Sequence, residues 1–316
     1  MGKNIGTITT IIVTVSLSIL GFILGGFHLS ELQLDSLRIL LILCAISITY
    51  CFVTGEVTGN NSQMDKLWSI LPIAYAWIIV GKSEMNLRLI VMAILITIWG
   101  VRLTLNFAKK GAYSLKFWSG EEDYRWIVLR KSPAFNKKWK WVIFDLFFIS
   151  IYQNLLVLSM TLPMLAAMEA TVVFNVFDFL VATLLLAFII IETISDKQQM
   201  TFQTTKYKLL KQGKTLEDLP IPYNKGFNTQ GLWSRSRHPN YLSEQSIWVA
   251  LYFFCITAGV TNYIFFNWTL IGSMLLILLF MGSSAFSESI SLQKYPAYQG
   301  YINEVFKYLP LRKNKN

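Results

Sequence analysis

Residues Gly231–Val260 read GLWSRSRHPNYLSEQSIWVALYFFCITAGV. From Ile247 onward the run is apolar and long enough for a helix. Pro239 suits the first position of that helix, where its missing N–H would have had no partner anyway. Just ahead of it stand Arg235, Arg237 and His238. A helix start leaves backbone N–H groups unpaired and carries a partial positive charge, so it favours an anion. Two guanidiniums and an imidazole strengthen that preference. The stretch predicts a phosphate-rich ligand at the mouth of a membrane helix. The competing reading is a topological anchor, since Lys and Arg gather on the cytoplasmic side of membrane proteins. An anchor accounts for the arginines. It does not account for one of only two histidines among them, followed by Asn240, Tyr241 and Glu244.

Outward from this stretch the chain is membrane-like throughout. Its 316 residues are 54% hydrophobic, with a mean hydropathy of +0.47. Only 15% are charged, against about 25% in a soluble domain. Eight apolar runs approach the roughly 20 residues that cross a bilayer. They are Ile5–Phe27, Leu37–Val53, Leu67–Val80, Leu87–Ala108, Trp141–Leu162, Phe174–Ser195, Tyr241–Val260 and Ile264–Met281. The third is short enough to be re-entrant or tilted. The first is long for a signal peptide and lacks a clear cleavage site, so it reads as a span. The expected fold is an all-α, polytopic transmembrane bundle of seven to eight spans, with cytoplasmic loops capping a cofactor cavity. Residues 1–56 would form N-terminal transmembrane helices and residues 57–312 the main membrane domain.

The net charge of +10 follows topology and does not point to nucleic acid. The loop from Lys109 to Lys140 is crowded with Lys and Arg, whereas Pro163–Val173 has neither. The Asp196–Arg237 segment is basic again, the Thr261–Tyr263 turn is uncharged, and the tail carries Lys307, Arg312, Lys313 and Lys315. By the positive-inside rule both termini and the large loops face the cytoplasm. Cys44, Cys51 and Cys255 sit in or near apolar runs without metal spacing, and read as core residues. No Rossmann, Walker or nucleophile-elbow motif occurs, nor any His-rich metal set.

Polar residues form stripes in the apolar background. Glu192, Asp196, Gln199 and Gln203 recur at helical spacing along one face, where the sixth run continues into its loop. Glu192 lies inside the run, where an acid costs roughly 2.5–3.5 kcal/mol at the centre, so something polar should compensate it. Tyr241, Glu244, Gln245 and Trp248 share another face and would line a pocket below the phosphate site. Gln153 and Asn154, mid-run, serve either as interhelical glue or as a substrate contact. Tyr295, Tyr298, Tyr301 and Tyr308 read as an interfacial belt or as a stacking surface for a ring.

The order of motifs resembles the DUF1295 branch of the steroid 5-alpha-reductase-like membrane proteins. The matching pieces run from Asn61-Ser-Gln-Met-Asp65-Lys-Leu-Trp68 through Trp99-Gly-Val-Arg102 and Gly120-Glu-Glu-Asp123-Tyr124-Arg125. They continue with Glu192-Thr-Ile-Ser-Asp196-Lys-Gln198, Arg237-His238-Pro239-Asn240-Tyr241-Leu-Ser-Glu244, and Glu288-Ser leading to Tyr298-Gln-Gly-Tyr301. The resemblance implies a helical membrane oxidoreductase. It would hold NADPH in a cavity open to the cytoplasm and pass hydride to an activated C=C bond of a lipid-like, steroid-like or isoprenoid substrate. Carried onto matching positions, it implies that Asp196, Arg237, His238, Asn240, Tyr241 and Glu244 contact the cofactor. Arg235 joins them from its local chemistry. The family's Glu–Tyr pair, which polarises a substrate carbonyl, has Trp99 where the Tyr is expected. Tyr124, between Asp123 and Arg125, becomes the candidate proton donor, with an interfacial aromatic as its plain alternative. The runner-up function is an S-adenosylmethionine-dependent methyltransferase of the isoprenylcysteine type. Its cofactor carries no phosphate, and Glu288 is followed by Ser289 where those enzymes favour paired Glu residues.

Overall fold

The described part of each of the eight apolar runs falls mainly on helix in the computed structural model, which describes residues 2–135, 137–261 and 265–311. In chain order the helices are α1 (Gly2–Gly25), α2 (Glu31–Thr58), α3 (Gln63–Leu67), α4 (Leu71–Lys82), α5 (Leu87–Ala108) and α6 (Tyr124–Arg130). They continue with α7 (Lys138–Ala167), α8 (Val176–Leu210), α9 (Pro239–Thr257), α10 (Leu270–Lys294) and α11 (Tyr298–Glu304). Among the described residues there is no β-strand. The expected start of the eighth run at Ile264, most of the Thr261–Tyr263 turn, and the tail residues Arg312, Lys313 and Lys315 lie outside the described residues.

Among the described residues five helices, α2, α5, α7, α8 and α10, are long and apolar enough to cross a membrane. The apolar stretch Ile12–Leu24 of α1 is shorter, as is the 12-residue α4. Helix α9 has 19 residues, but its first turns carry Asn240, Tyr241, Ser243, Glu244 and Gln245.

Local sequence explains the ends of these helices. Ser30 caps α2: its hydroxyl accepts from Gln33 N at 3.2 Å while its own N–H donates to the Gln33 side chain at 3.0 Å. This reciprocal arrangement satisfies two amides the first turn cannot pair. Gly59, in the left-handed region at φ 70°, ends the same helix. Asn86 caps α5 through Arg88 N. Within α7, residues Asp145–Tyr152 are wound as a π-helix.

Helix α2 shows how the pattern inverts in a membrane. Its buried residues are Gln33, Ser36, Leu40, Cys44, Ser47, Cys51 and Gly55, every third or fourth position and mostly small or polar. Ile42, Ile46, Val53 and Val57 face outward. Lipid tails are as apolar as Leu, so close packing and hydrogen bonds hold such helices together instead. Ser47 donates to Asn154 Oδ1 at 2.6 Å, joining α2 to α7. Asn154 is therefore interhelical glue.

The chain divides into two compact units. The larger comprises Ile12–Ala182 with Ala250–Leu275. In it α4 packs against α5 and α7, and α2 against α7. Two of its buried charges are Arg88 and Asp178, paired through Nε–Oδ1 at 2.8 Å and Nη2–Oδ2 at 2.9 Å. The Val172 and Val173 carbonyls accept further Arg88 protons, and the Thr257 hydroxyl donates to Asp178. A buried pair withstands desolvation only when its remaining valences are met like this.

The smaller unit comprises Met1–Ile11, Thr183–Val249 and Leu276–Asn316. Phe227, Tyr298, Tyr301, Ile302 and Val305 form a buried cluster there, with Tyr295 packed against it. This corrects the reading of Tyr298 and Tyr301 as part of a belt or a stacking platform: their rings are spent on core packing. Tyr308 is likewise engaged, donating to Phe280 O at 3.0 Å.

Candidate functional site

The cationic turn and the stripe on α8 meet within the smaller unit. Helix α8 continues unbroken past the apolar run, so Glu192, Asp196 and Gln199 stay on one helical face as their spacing predicts. Asn240, in the first turn of α9, donates its amide to Asp196 Oδ1 at 3.1 Å. Gln198 accepts from Leu232 N at 2.9 Å, and the Trp233 indole donates to Ser195 O at 3.1 Å. These bonds seat the 231–234 turn against α8.

The opposite flank of the turn is held by the C-terminal segment. Arg237 N donates to Phe306 O at 3.0 Å and His238 N to Lys307 O at 3.0 Å. Tyr301 donates its hydroxyl to Trp233 O. With both flanks fixed, Arg237 and His238 point inward and are 6% and 7% exposed.

Their common partner is Glu288 of α10. Arg237 Nε donates to Oε1 at 2.7 Å and Nη2 to Oε2 at 3.3 Å. His238 Nε2 lies 3.0 Å from the same Oε1, and Lys307 Nζ 3.9 Å from Oε2. The other Arg237 terminal nitrogen donates to Val305 O at 2.5 Å and Ile302 O at 3.3 Å. Burial pushes the His238 imidazole below its ordinary range, against the pull of Glu288. The ring stacks on Tyr241 at 5.2 Å between centroids, and Tyr241 meets Phe280 edge-on at 4.6 Å.

Arg237 thus has a different immediate partner from the phosphate expected of it. Most of its donors serve Glu288 and two carbonyls. Arg235 is exposed. Glu244 is buried and accepts from the Trp248 indole at 3.1 Å. Two acceptors of the seam, Gln199 Oε1 and Asn240 Oδ1, are buried without a hydrogen-bond partner. Buried polar atoms are nearly always paired, so such orphans call for a donor from outside the protein. Water, ribose hydroxyls and a carboxamide are all donors of this kind.

Tyr124 belongs to the larger unit, where it opens α6 and is exposed. Asp123 caps that helix, accepting from Arg125 N at 2.9 Å, and also binds the Arg125 guanidinium at 2.9 and 3.0 Å. Asp65 accepts from the Trp126 indole at 2.6 Å.

Glu288 is the residue the sequence reading left without a role. An acid within a helix of span length was the available signal, masked because polar Ser residues surround it in Ser287-Glu288-Ser289.

A family model described as a protein of unknown function (DUF1295) matches residues 51–305. An uncharacterized protein of Schizosaccharomyces pombe is 32% identical over 292 residues, covering 84% of this chain and 79% of its own length. No solved structure matches.

Proposed function

Since the chain belongs to the DUF1295 family, and its α8–α9 seam gathers acceptors beside exposed positive charge, we propose that it is an NADPH-dependent membrane reductase acting on an activated C=C bond of a lipid-like substrate. One observation carries the reading: Gln199 Oε1 and Asn240 Oδ1 are orphaned acceptors, next to Asp196 and close in sequence to Arg235. Asp196, Asn240 and Gln199 would take ribose or carboxamide donors, and Glu244 and Tyr241 would border them. Arg235 would take phosphate. Arg237 and Glu288 hold His238 and the turn in place. When bound, NADPH would supply the hydride.

Reduction of a C=C bond also needs a proton on the second carbon. The membrane setting of the helices suits a hydrophobic substrate entering from the bilayer. By the positive-inside rule both termini would face the cytoplasm, where the cofactor is found.

The seam alone would also serve the ribose of S-adenosylmethionine. Exposed Arg235 and half-exposed Lys307 favour a cofactor with phosphates. Thermal unfolding of the detergent-purified protein with NADPH, NADH and S-adenosylmethionine decides between them. Ligand at a hundred times its dissociation constant adds about 2.7 kcal/mol. NADPH is expected to stabilise the protein. Stabilisation by S-adenosylmethionine alone would replace the reductase with the methyltransferase.

A further inference from the structure

The segment that leaves α5 is fixed in shape by residues just past the end of α2. Lys66 of α3 is fully buried, and its Nζ donates to the Phe117 and Ser119 carbonyls at 2.8 Å each. Gln63 Nε2 donates to Trp118 O and Asn60 Nδ2 to Gly120 O, both at 3.0 Å. Asp123 N donates to the Ser62 hydroxyl at 2.9 Å, and Glu121 N closes the loop on Gly111 O at 2.9 Å. A loop needed only to set topology by its positive charge requires no such frame.

The frame leaves apolar side chains outside it. Leu115 is fully exposed and Trp118 is 48% exposed. Trp118 lies against the last turns of α2, closing a groove of about 230 Å³ with Val53, Thr54, Val57 and Thr58. Val53 and Thr54 also line a wider trough of about 530 Å³ that runs back along α2 past Tyr50 and Ile46. Ile46, Val53 and Val57 are exposed on a helix long and apolar enough to span a bilayer. The trough therefore faces lipid, and Trp118 marks the depth at which α2 leaves the hydrocarbon, where amphipathic indoles settle.

Charge at that end has one sign. From Lys109 to Lys140 the sequence carries seven lysines, two arginines and three acids. Two of the acids serve the arginines: Glu122 accepts from Arg130 at 2.5 Å, and Asp123 from Arg125 at 2.9 and 3.0 Å. Glu121 is exposed, against six exposed lysines. Lys109 and Lys110 lead into the Gly111–Gly120 neck that Asn60 ties to the end of α2, and Lys116 lies between Leu115 and Trp118 in sequence. The first turn of α7, another helix of span length, pairs an indole with an ammonium again: Lys140 Nζ lies 6.0 Å from the ring centroid of exposed Trp139.

We propose that this trough and loop bind one anionic phospholipid of the surrounding leaflet. An acyl chain lies along α2 from Val57 to Ile46, Trp118 packs at the glycerol level, and Lys109, Lys110 and Lys116 meet the negative headgroup. The apolar wall suits an alkyl chain of any lipid. The lysines select an acidic headgroup over a zwitterionic one, as clustered cations beside a span do. No bond forms or breaks, and the site stands independently of the reductase reading.

Native mass spectrometry of the full chain tests it, after release from detergent micelles holding equal amounts of phosphatidylglycerol and phosphatidylcholine. The wild type is expected to retain phosphatidylglycerol about tenfold over phosphatidylcholine, the scale that a few lysines at an anionic surface give. The triple variant Lys109→Gln, Lys110→Gln, Lys116→Gln should bring that ratio near one. Its melting temperature in lipid-free detergent should stay at the wild-type value, since all three side chains are exposed. Val53→Trp, which fills the trough and leaves the charge alone, should lower retention of both lipids. Should Val53→Trp fail to fold, the lysine variant decides. Equal retention of the two lipids by the wild type, as by a plain annular layer, overturns the site. So does a preference that survives the lysine changes, or retention that a folded Val53→Trp leaves intact. A dimer in lipid-free detergent that Val53→Trp breaks would give the trough to a second copy of the chain and overturn it too.

Discussion

Arg237 and Glu288, 51 residues apart in sequence, are locked together by two hydrogen bonds of 2.7 and 3.3 Å. His238 shares the same carboxylate oxygen at 3.0 Å. The pair ties the turn before α9 to α10, and one acid neutralises the core of a strongly basic motif. Removing one partner strands a buried charge, at about 3–5 kcal/mol. Glu288→Gln and Arg237→Ala should each lower the unfolding temperature sharply, whereas the apolar double variant Arg237→Met, Glu288→Leu recovers much of the loss. Single variants that melt like wild type would show the pair to be open in solution.

His238 gives the smaller unit a pH dependence with a definite sign. Burial holds its folded pKa below the ordinary value, so folding disfavours the charged ring. Its contribution is complete above the unfolded value of about 6.5 and fades as pH falls through and below it. Melting curves from pH 8 to pH 5 should show wild type losing stability on acidification, and His238→Gln losing less. Equal slopes for both proteins would contradict this.

Cofactor contacts should separate by chemistry. A hydrogen bond to a charged group is worth about 1.5–3 kcal/mol, so Arg235→Ala should weaken NADPH binding about 10- to 100-fold. If Arg235 holds the 2′-phosphate, NADH binding stays unchanged. Asn240→Ala removes an acceptor both cofactors would use and should weaken both. Fluorescence titration of each cofactor reads the difference; an Arg235→Ala protein that binds NADPH normally would remove that residue from the site.

Helix contact in the larger unit is set by a missing side chain. A Cβ on Gly272 of α10 would lie 2.3 Å from the Ser159 carbonyl oxygen of α7. Backbone cannot yield as a side-chain tip does, so Gly272→Ala should cost about 1–3 kcal/mol, as overpacking does. A thermal melt superimposable on wild type would mean the helices part without penalty.

The fold was legible because its signals are local and redundant. Each apolar run became a helix, and the Glu192–Gln199 spacing proved to be a single face of α8 because that helix does not stop at the bilayer edge. The Arg237–His238 turn was legible as a concentration of charge, but its internal partner was not. Glu288 reaches it only through a fold that brings α10 and the C-terminal segment together, and no local periodicity encodes that contact. The tyrosines near the C-terminus misled for the same reason: Tyr298 and Tyr301 look interfacial in a line of text, yet Phe227, far upstream, buries them.

The backbone bonds from Arg237 and His238 to Phe306 and Lys307 have a practical corollary. Whoever shortens this polypeptide from its carboxyl end, or grafts a purification handle there, must leave everything through Tyr308 untouched. Trimming past that boundary would unfasten the basic motif from behind, and an inactive preparation would then report on carpentry rather than chemistry.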